Sequence, residues 1–103
     1  MPWVELISLS RCRPGAGTFV AWHDRELAVF PLRDPGRVVV IDNACPHAGG
    51  NLSGGDLQEN RVQCPWHHWE FDLDRGVSTH SPLAMVRGYP AEVRDGMVWF
   101  DPG

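Results

Sequence analysis

Two short Cys-His pairs are the residues of this chain whose types and spacing could do chemistry. Cys45-Pro46-His47 and Cys64-Pro65-Trp66-His67 give C-x-H, sixteen intervening residues and then C-x2-H. Each pair offers one thiolate and one imidazole, and the proline after each cysteine fixes φ and favours a tight turn. Two such turns can bring four ligands together from opposite sides. The pattern therefore predicts a metal site with the ligands Cys45, His47, Cys64 and His67.

The order of these ligands separates the kinds of metal site they could form. Structural zinc sites usually group cysteine with cysteine and histidine with histidine. A mixed order instead favours a two-iron cluster in which two thiolates bind one iron, two histidines bind the other and sulfides bridge them. A zinc site, and a metal-free domain or a disulfide, are the alternatives. Zinc is colourless, whereas an iron-sulfur protein is red-brown and gives an EPR signal on reduction.

The other cysteine and histidines have simpler interpretations. Cys12 lies between two arginines with no histidine nearby, which predicts a packed or solvent-facing thiol. His23 lies in a predicted turn, and His68 and His80 are interpreted as loop residues. None of the four enters the predicted site.

Short β-rich segments must position the ligands, because no stretch of a dozen residues has helical periodicity. The sequence predicts an all-β barrel or sandwich of short strands. A final hairpin turns at Asp95-Gly96, a pair suited to a type I′ turn, and Asp34-Pro35-Gly36 and Asp74-Arg75-Gly76 predict further turns. The glycine-rich connection from Asn43 to Asn60 is longer than a hairpin needs, which indicates a functional loop. The predicted strands are Trp3-Ser8, Gly17-His23, Glu26-Leu32, Arg37-Asp42, Arg61-Cys64, Trp69-Leu73, Met85-Tyr89, Ala91-Arg94 and Met97-Phe100.

Size and charge limit the remaining possibilities. The chain has 103 residues, 43% of them hydrophobic, and a formal net charge of -4. This length predicts one domain over residues 1–103, with no room for a second catalytic domain. The absence of a Lys/Arg run makes nucleic acid and membrane poor partners. The acidic start and the lack of a long apolar stretch predict a cytoplasmic protein.

The segment from Cys45 to Gly76 resembles the Rieske family, in both ligand loops and the β-hairpin between them. The resemblance implies the Rieske (ISP) fold, an antiparallel β-sandwich or barrel base with a small cluster-binding subdomain inserted at approximately 43–73. It implies one [2Fe-2S] cluster per chain, with Cys45 and Cys64 on the inner iron and His47 and His67 on the outer iron. Ser81-Pro82-Leu83 looks like the family's third, proline-containing loop.

Departures from the high-potential members of the family indicate which kind of Rieske protein this chain resembles. Those members carry an extra, disulfide-bonded cysteine in each loop, where this chain has Gly50 and Trp66. Their hydroxyl donors correspond here to Trp69 and Phe71. Fewer donors to the sulfurs predict a potential towards the lower end of the range of about −150 to +300 mV. Trp66 is interpreted as a shield that covers the cluster from water.

The resemblance to the small Rieske ferredoxins implies a function. Such ferredoxins carry single electrons from a flavin reductase to an oxygenase, and a similar domain is the small subunit of nitrite reductase. We therefore expect a one-electron carrier that is not an enzyme by itself. A nitrite reductase subunit is the alternative within the family. A non-redox structural or regulatory subunit is the competing class.

Overall fold

The computed structural model describes residues 3–32, 37–45, 50–65, 69–79 and 85–103. Within these ranges the chain forms eleven β-strands, two short 3-10 helices at Leu9–Arg11 and Leu52–Gly54, and no α-helix. No helix in the described ranges is long and apolar enough to cross a membrane. The strands are β1 (Val4–Ser8), β2 (Thr18–Trp22), β3 (Arg25–Pro31), β4 (Val38–Asp42), β5 (Asp56–Gln58), β6 (Arg61–Gln63), β7 (Glu70–Asp72), β8 (Val77–Ser78), β9 (Gly88–Tyr89), β10 (Ala91–Arg94) and β11 (Met97–Phe100).

The strands form three antiparallel sheets, which confirms the predicted all-β class. Their orders are β1-β11-β10, β2-β3-β4-β9 and β5-β6-β7-β8. The first two sheets contain strands β1 to β4 and β9 to β11, and together they make the base. The third sheet is built from one continuous segment that includes the second Cys-His pair.

The sheet β2-β3-β4-β9 has a hydrophobic core on each face, which explains why four successive residues of β3 are buried. Leu27 and Val29 pack in one cluster with Phe100 of β11. Ala28 and Phe30 point the other way and join the cluster that contains both cysteines of the predicted site. Alternation along one strand therefore fastens the third sheet to the base.

Turn residues act as the sequence predicted where the structure describes them. The β10–β11 hairpin turns at Asp95 and Gly96, whose φ angles of 51° and 76° fit the predicted type I′ turn. The β2–β3 hairpin turns at His23, with φ 55°. The turn between β7 and β8 ends at Gly76, with φ 70°. Asp34-Pro35-Gly36 lies outside the described residues.

Several boundaries differ from the predictions. The strand predicted at Met85-Tyr89 is only Gly88–Tyr89, and the short strands β5 and β8 were not predicted. The Asn43–Asn60 connection is not a bare loop, because it contains the helix Leu52–Gly54 and the strand β5. Strands of two or three residues carry too few alternating positions to show a period, so pairing with β6 and β7 defines them.

The third sheet and the base are also joined through polar side chains. Arg37, just before β4, forms an ion pair with Asp74 in the turn that follows β7. Asp74 also accepts a hydrogen bond from the side-chain amide of Asn60, in the β5–β6 turn. The sheet continues past Leu73 to β8. The division into a single domain over residues 1–103 stays a prediction.

Candidate metal centre

The first ligand loop begins where the buried strand β4 ends. Ala44 pairs with Asn51 in an isolated antiparallel bridge, and the Cys45 amide donates to the carbonyl of Gly50 at 2.8 Å. These contacts close the loop at its base. The side chain of Cys45 is 2% exposed, so it points into the protein.

The second ligand loop connects β6 to β7. Gln63 pairs with Glu70, and the Cys64 amide donates to the carbonyl of Trp69 at 2.7 Å. The loop therefore closes directly after the last paired residues of the hairpin. Cys64 is fully buried, at 0% exposure.

The two cysteines come from separate loops and enter one apolar cluster. Cys45 and Cys64 share this cluster with Leu52, Val62 and Phe71, among other residues. None of the chain's three cysteines, all of which lie among the described residues, forms a disulfide. Thiolates removed from water need a compensating charge, and iron supplies it. Both cysteines therefore fit the inner-iron role that the family resemblance implies.

The histidine half of the predicted site lies outside the described residues. His47 and His67 belong to this undescribed part, as do Pro46, Trp66, His68, His80 and the loop Ser81-Pro82-Leu83. Among the described residues, no group of three or more Cys, His, Asp or Glu side chains could hold a metal. The structure thus brings together two of the four predicted ligands, and the full set stays a prediction.

The residues in place of hydroxyl donors belong to, or pack on, the hydrophobic cluster that contains the cysteines. Phe71 is fully buried in the same cluster as Cys45 and Cys64, and Trp69 packs on that cluster as a partly buried side chain. A phenyl ring has no hydrogen to donate to a sulfur. The predicted low potential depends on this position of Phe71, and it awaits measurement.

Cys12 is confirmed as a packed thiol separate from the site. It is 6% exposed and belongs to the other hydrophobic cluster, with Val29 and Phe100. Burial raises the pKa of Cys12, and a hydrogen bond with Thr18 partly opposes the increase. Cys12 is therefore neutral at physiological pH.

The sequence analysis missed a buried asparagine at the base of the first loop. Asn43 has 0% exposure, and its side-chain amide donates to Oδ1 of Asn51 at 2.8 Å. Its own Oδ1 accepts a hydrogen bond from the Ser53 amide at 2.9 Å. An asparagine directly after a buried strand and two residues before a ligand was the available signal.

The chain matches the model of the Rieske [2Fe-2S] domain family over residues 2–90. It is 28% identical over 100 residues to the ferredoxin component of a naphthalene 1,2-dioxygenase system from Pseudomonas putida, covering 96% of this chain and 94% of the relative. A solved ferredoxin of carbazole 1,9a-dioxygenase from Nocardioides aromaticivorans superposes with a TM-score of 0.86, at 27% identity and 100% coverage of both chains.

A second solved structure shares the fold at lower identity. A putative small subunit of an NADPH nitrite reductase superposes with a TM-score of 0.89, at 21% identity, covering 98% of this chain and 99% of that one. The family match, the antiparallel sheets and the two buried cysteines agree on one assignment. The chain belongs to the Rieske [2Fe-2S] domain family and has a Rieske-type [2Fe-2S] cluster as its cofactor.

Proposed function

We propose that this protein is a one-electron carrier whose cluster is held by Cys45, His47, Cys64 and His67. The observation that supports the proposal most directly is the burial of both cysteines, at 2% and 0% exposure, in one apolar cluster. The two loops that carry them are each closed by a backbone hydrogen bond, so the thiols are held in place by the fold.

The residues around the thiols perform three tasks in this proposal. Leu52, Val62 and Phe71 exclude water from the sulfur side of the site. The closed loop bases limit movement of the ligands when the charge changes. His47 and His67 would bind the outer iron as neutral imidazoles, which raises the potential relative to a site with four thiolates. The bound cluster supplies a group that can accept and release one electron.

We propose a flavin reductase as the electron donor and an oxygenase as the acceptor. The support is that similar chains of the same length are named as ferredoxin components of dioxygenase systems. In this role the chain is not an enzyme by itself, because oxygenase catalysis also requires a mononuclear iron site. A cytoplasmic location remains part of the proposal.

The small subunit of a nitrite reductase is the second candidate, because a protein given that name has the same fold over nearly its whole length. The competing class is a non-redox structural or regulatory subunit that keeps the cluster as a structural element. The first two candidates differ in the protein that accepts the electron, and the third passes no electrons.

Reconstitution of electron transfer tests these alternatives. The loaded protein is mixed with an oxygenase-type flavin reductase and NADH, and the visible spectrum is followed as the cluster is reduced. Reoxidation is then measured with a ring-hydroxylating oxygenase and with a nitrite reductase large subunit. Reduction followed by reoxidation with the oxygenase is expected. A cluster that no reductase reduces would contradict the carrier role, and selective reoxidation by nitrite reductase would favour the second candidate.

Docking is proposed to centre on the edge of the site that carries His47 and His67. Pro46, Ala48 and Trp66 flank these ligands in the sequence, and His68 follows the second one. Transient redox complexes bury little area and depend on a small contact surface. The variant Ala48→Glu places a charge there without removing a ligand. Electron transfer to the acceptor should slow while the spectrum and the potential stay nearly constant, and an unchanged rate would rule out this docking surface.

A further inference from the structure

A network of asparagine hydrogen bonds connects the first ligand loop to the base, and no part of the proposed electron carrier function accounts for it. The Asn43 amide donates to the carbonyl of Glu26 in β3 at 2.9 Å, and the Asn43 carbonyl accepts from the Leu52 amide at 2.8 Å. The backbone of this one residue therefore contacts both the base and the 3-10 helix that follows the loop.

The side chain of Asn43 adds two bonds of defined direction. The Ser53 amide can only donate, so the atom it contacts must be Oδ1 of Asn43. The amide nitrogen of Asn43 then faces Asn51, whose Oδ1 accepts a hydrogen bond from it. All the polar atoms of this buried carboxamide that the structure describes are directed at the segment Asn51–Ser53, which ends the loop.

Ser53 is held from its other side by Arg13. The Arg13 guanidinium donates to the carbonyl of Ser53 at 3.3 Å and to the carbonyl of Gly17 at 2.7 Å. The amide of Ser53 thus contacts Asn43 and its carbonyl contacts Arg13. This segment is fixed between β4 and the β1–β2 connection, while Cys45 lies inside the loop that it closes.

We propose that Asn43 is a positioning residue, whose carboxamide holds the first ligand loop closed and so sets the geometry of Cys45 at the cluster. The inference rests on the proposed ligand role of Cys45. Asn43 acts through the loop and does not itself contact the iron in this proposal. A partly buried hydrogen bond in such a position limits opening of the loop, and with it the escape of the cluster.

Asn51 provides the sharper test, because its side chain is exposed and its replacement leaves no buried cavity. Asn51→Ala removes the acceptor for Asn43, whereas Asn51→Asp keeps an oxygen at that position. The matched control is Asn60→Ala, which removes a side-chain hydrogen bond to Asp74 in the turns of the third sheet. Asn43→Ala removes both side-chain bonds and is expected to have the larger effect.

Two readouts are taken on the full-length, cluster-loaded protein: the rate of loss of visible absorbance in EDTA, and the EPR line shape after reduction with dithionite. Asn51→Ala should lose its cluster about fivefold faster than the parent, because a factor of about five corresponds to the net contribution of one hydrogen bond. Its EPR lines should broaden. Asn51→Asp and Asn60→Ala should stay within about twofold of the parent rate with unchanged lines.

Two results would overturn the inference: an Asn51→Ala protein that matches the parent in both readouts, or an Asn51→Asp protein that loses its cluster as fast as Asn51→Ala. If Asn43→Ala yields no folded protein, the Asn51 pair decides the question. Neither readout uses a protein partner. A parent that exchanges no electrons with a reductase or an oxygenase would therefore contradict the proposed function while leaving this comparison valid.

Discussion

Gly55→Ala tests whether the close contact between the residue before β5 and the end of β6, which leads into Cys64, stabilises the site. A methyl group at Gly55 would overlap the carbonyl oxygen of Gln63 and would lie 3.0 Å from the carbon of that carbonyl, inside the 3.4 Å at which ordinary contact begins. The obstructing oxygen is a backbone atom of Gln63, the residue before the buried Cys64, so it cannot rotate away as a side chain could. The start of β5 and the end of β6 must therefore separate.

Overpacking of this kind costs about 3 kcal/mol, the upper part of the range measured for added methyl groups in packed cores. For a domain of this size the corresponding fall in Tm is roughly 12–24 °C. The assay is thermal unfolding of the loaded protein by circular dichroism at one fixed scan rate. The rate of cluster loss in EDTA is a second readout, because the displaced strand leads into Cys64.

The neighbouring Gly54 supplies the matched control. A methyl group there meets nothing within 4 Å, and the residue has no positive φ that would strain alanine. Gly54→Ala should change the free energy of unfolding by no more than about 0.5 kcal/mol, or stabilise slightly by restricting the unfolded chain. Equal Tm values for the two variants, or a Gly55→Ala protein as stable as the parent, would refute the packing argument.

Three further predictions concern the ligands, the potential and alkaline stability. Alanine at any one proposed ligand should give poorly folded protein with fewer than the two irons expected per chain, as measured by iron and sulfide analysis. A normal Rieske spectrum in His67→Ala would move the ligand assignment to His68. Phe71→Tyr should raise the potential by about 40 mV in voltammetry if its hydroxyl donates one net hydrogen bond to a sulfur, whereas Phe71→Leu should not. Burial raises the pKa of Tyr89 above 10.0, and the hydrogen bond to Asp42 raises it further. The stabilisation that the protonated Tyr89 gives the folded state is therefore complete below pH 10 and is lost as the pH rises through the higher folded-state pKa. Urea unfolding at pH 8 to 11 should show a smaller alkaline loss in Tyr89→Phe, and identical pH profiles would contradict this assignment.

The sequence by itself was sufficient for the features that depend on local chemistry. The Cys-Pro pairs with their mixed ligand order pointed to the Rieske family and its [2Fe-2S] cluster, and the family match confirms both, while the four-residue ligand set stays a prediction. Short runs rich in Val, Ile, Phe and Trp, separated by Gly, Pro and Asp, predicted most of the base strands. Asp95-Gly96 predicted the last hairpin because few residue pairs tolerate positive φ at both positions.

Tertiary structure decided the features that depend on residues distant in sequence. The strands β5 and β8 are too short to carry a periodic signal, and they exist because β6 and β7 offer hydrogen-bonding edges. The sequence places Asn43 beside the first ligand loop, but only the packed chain shows that its side chain accepts a hydrogen bond from Ser53. Likewise, nothing in the composition near Arg13 indicates that its guanidinium reaches Ser53, forty residues along the chain. Hydrogen bonds of this kind form only after the hydrophobic clusters have brought the two segments together, so their partners are properties of the packed fold.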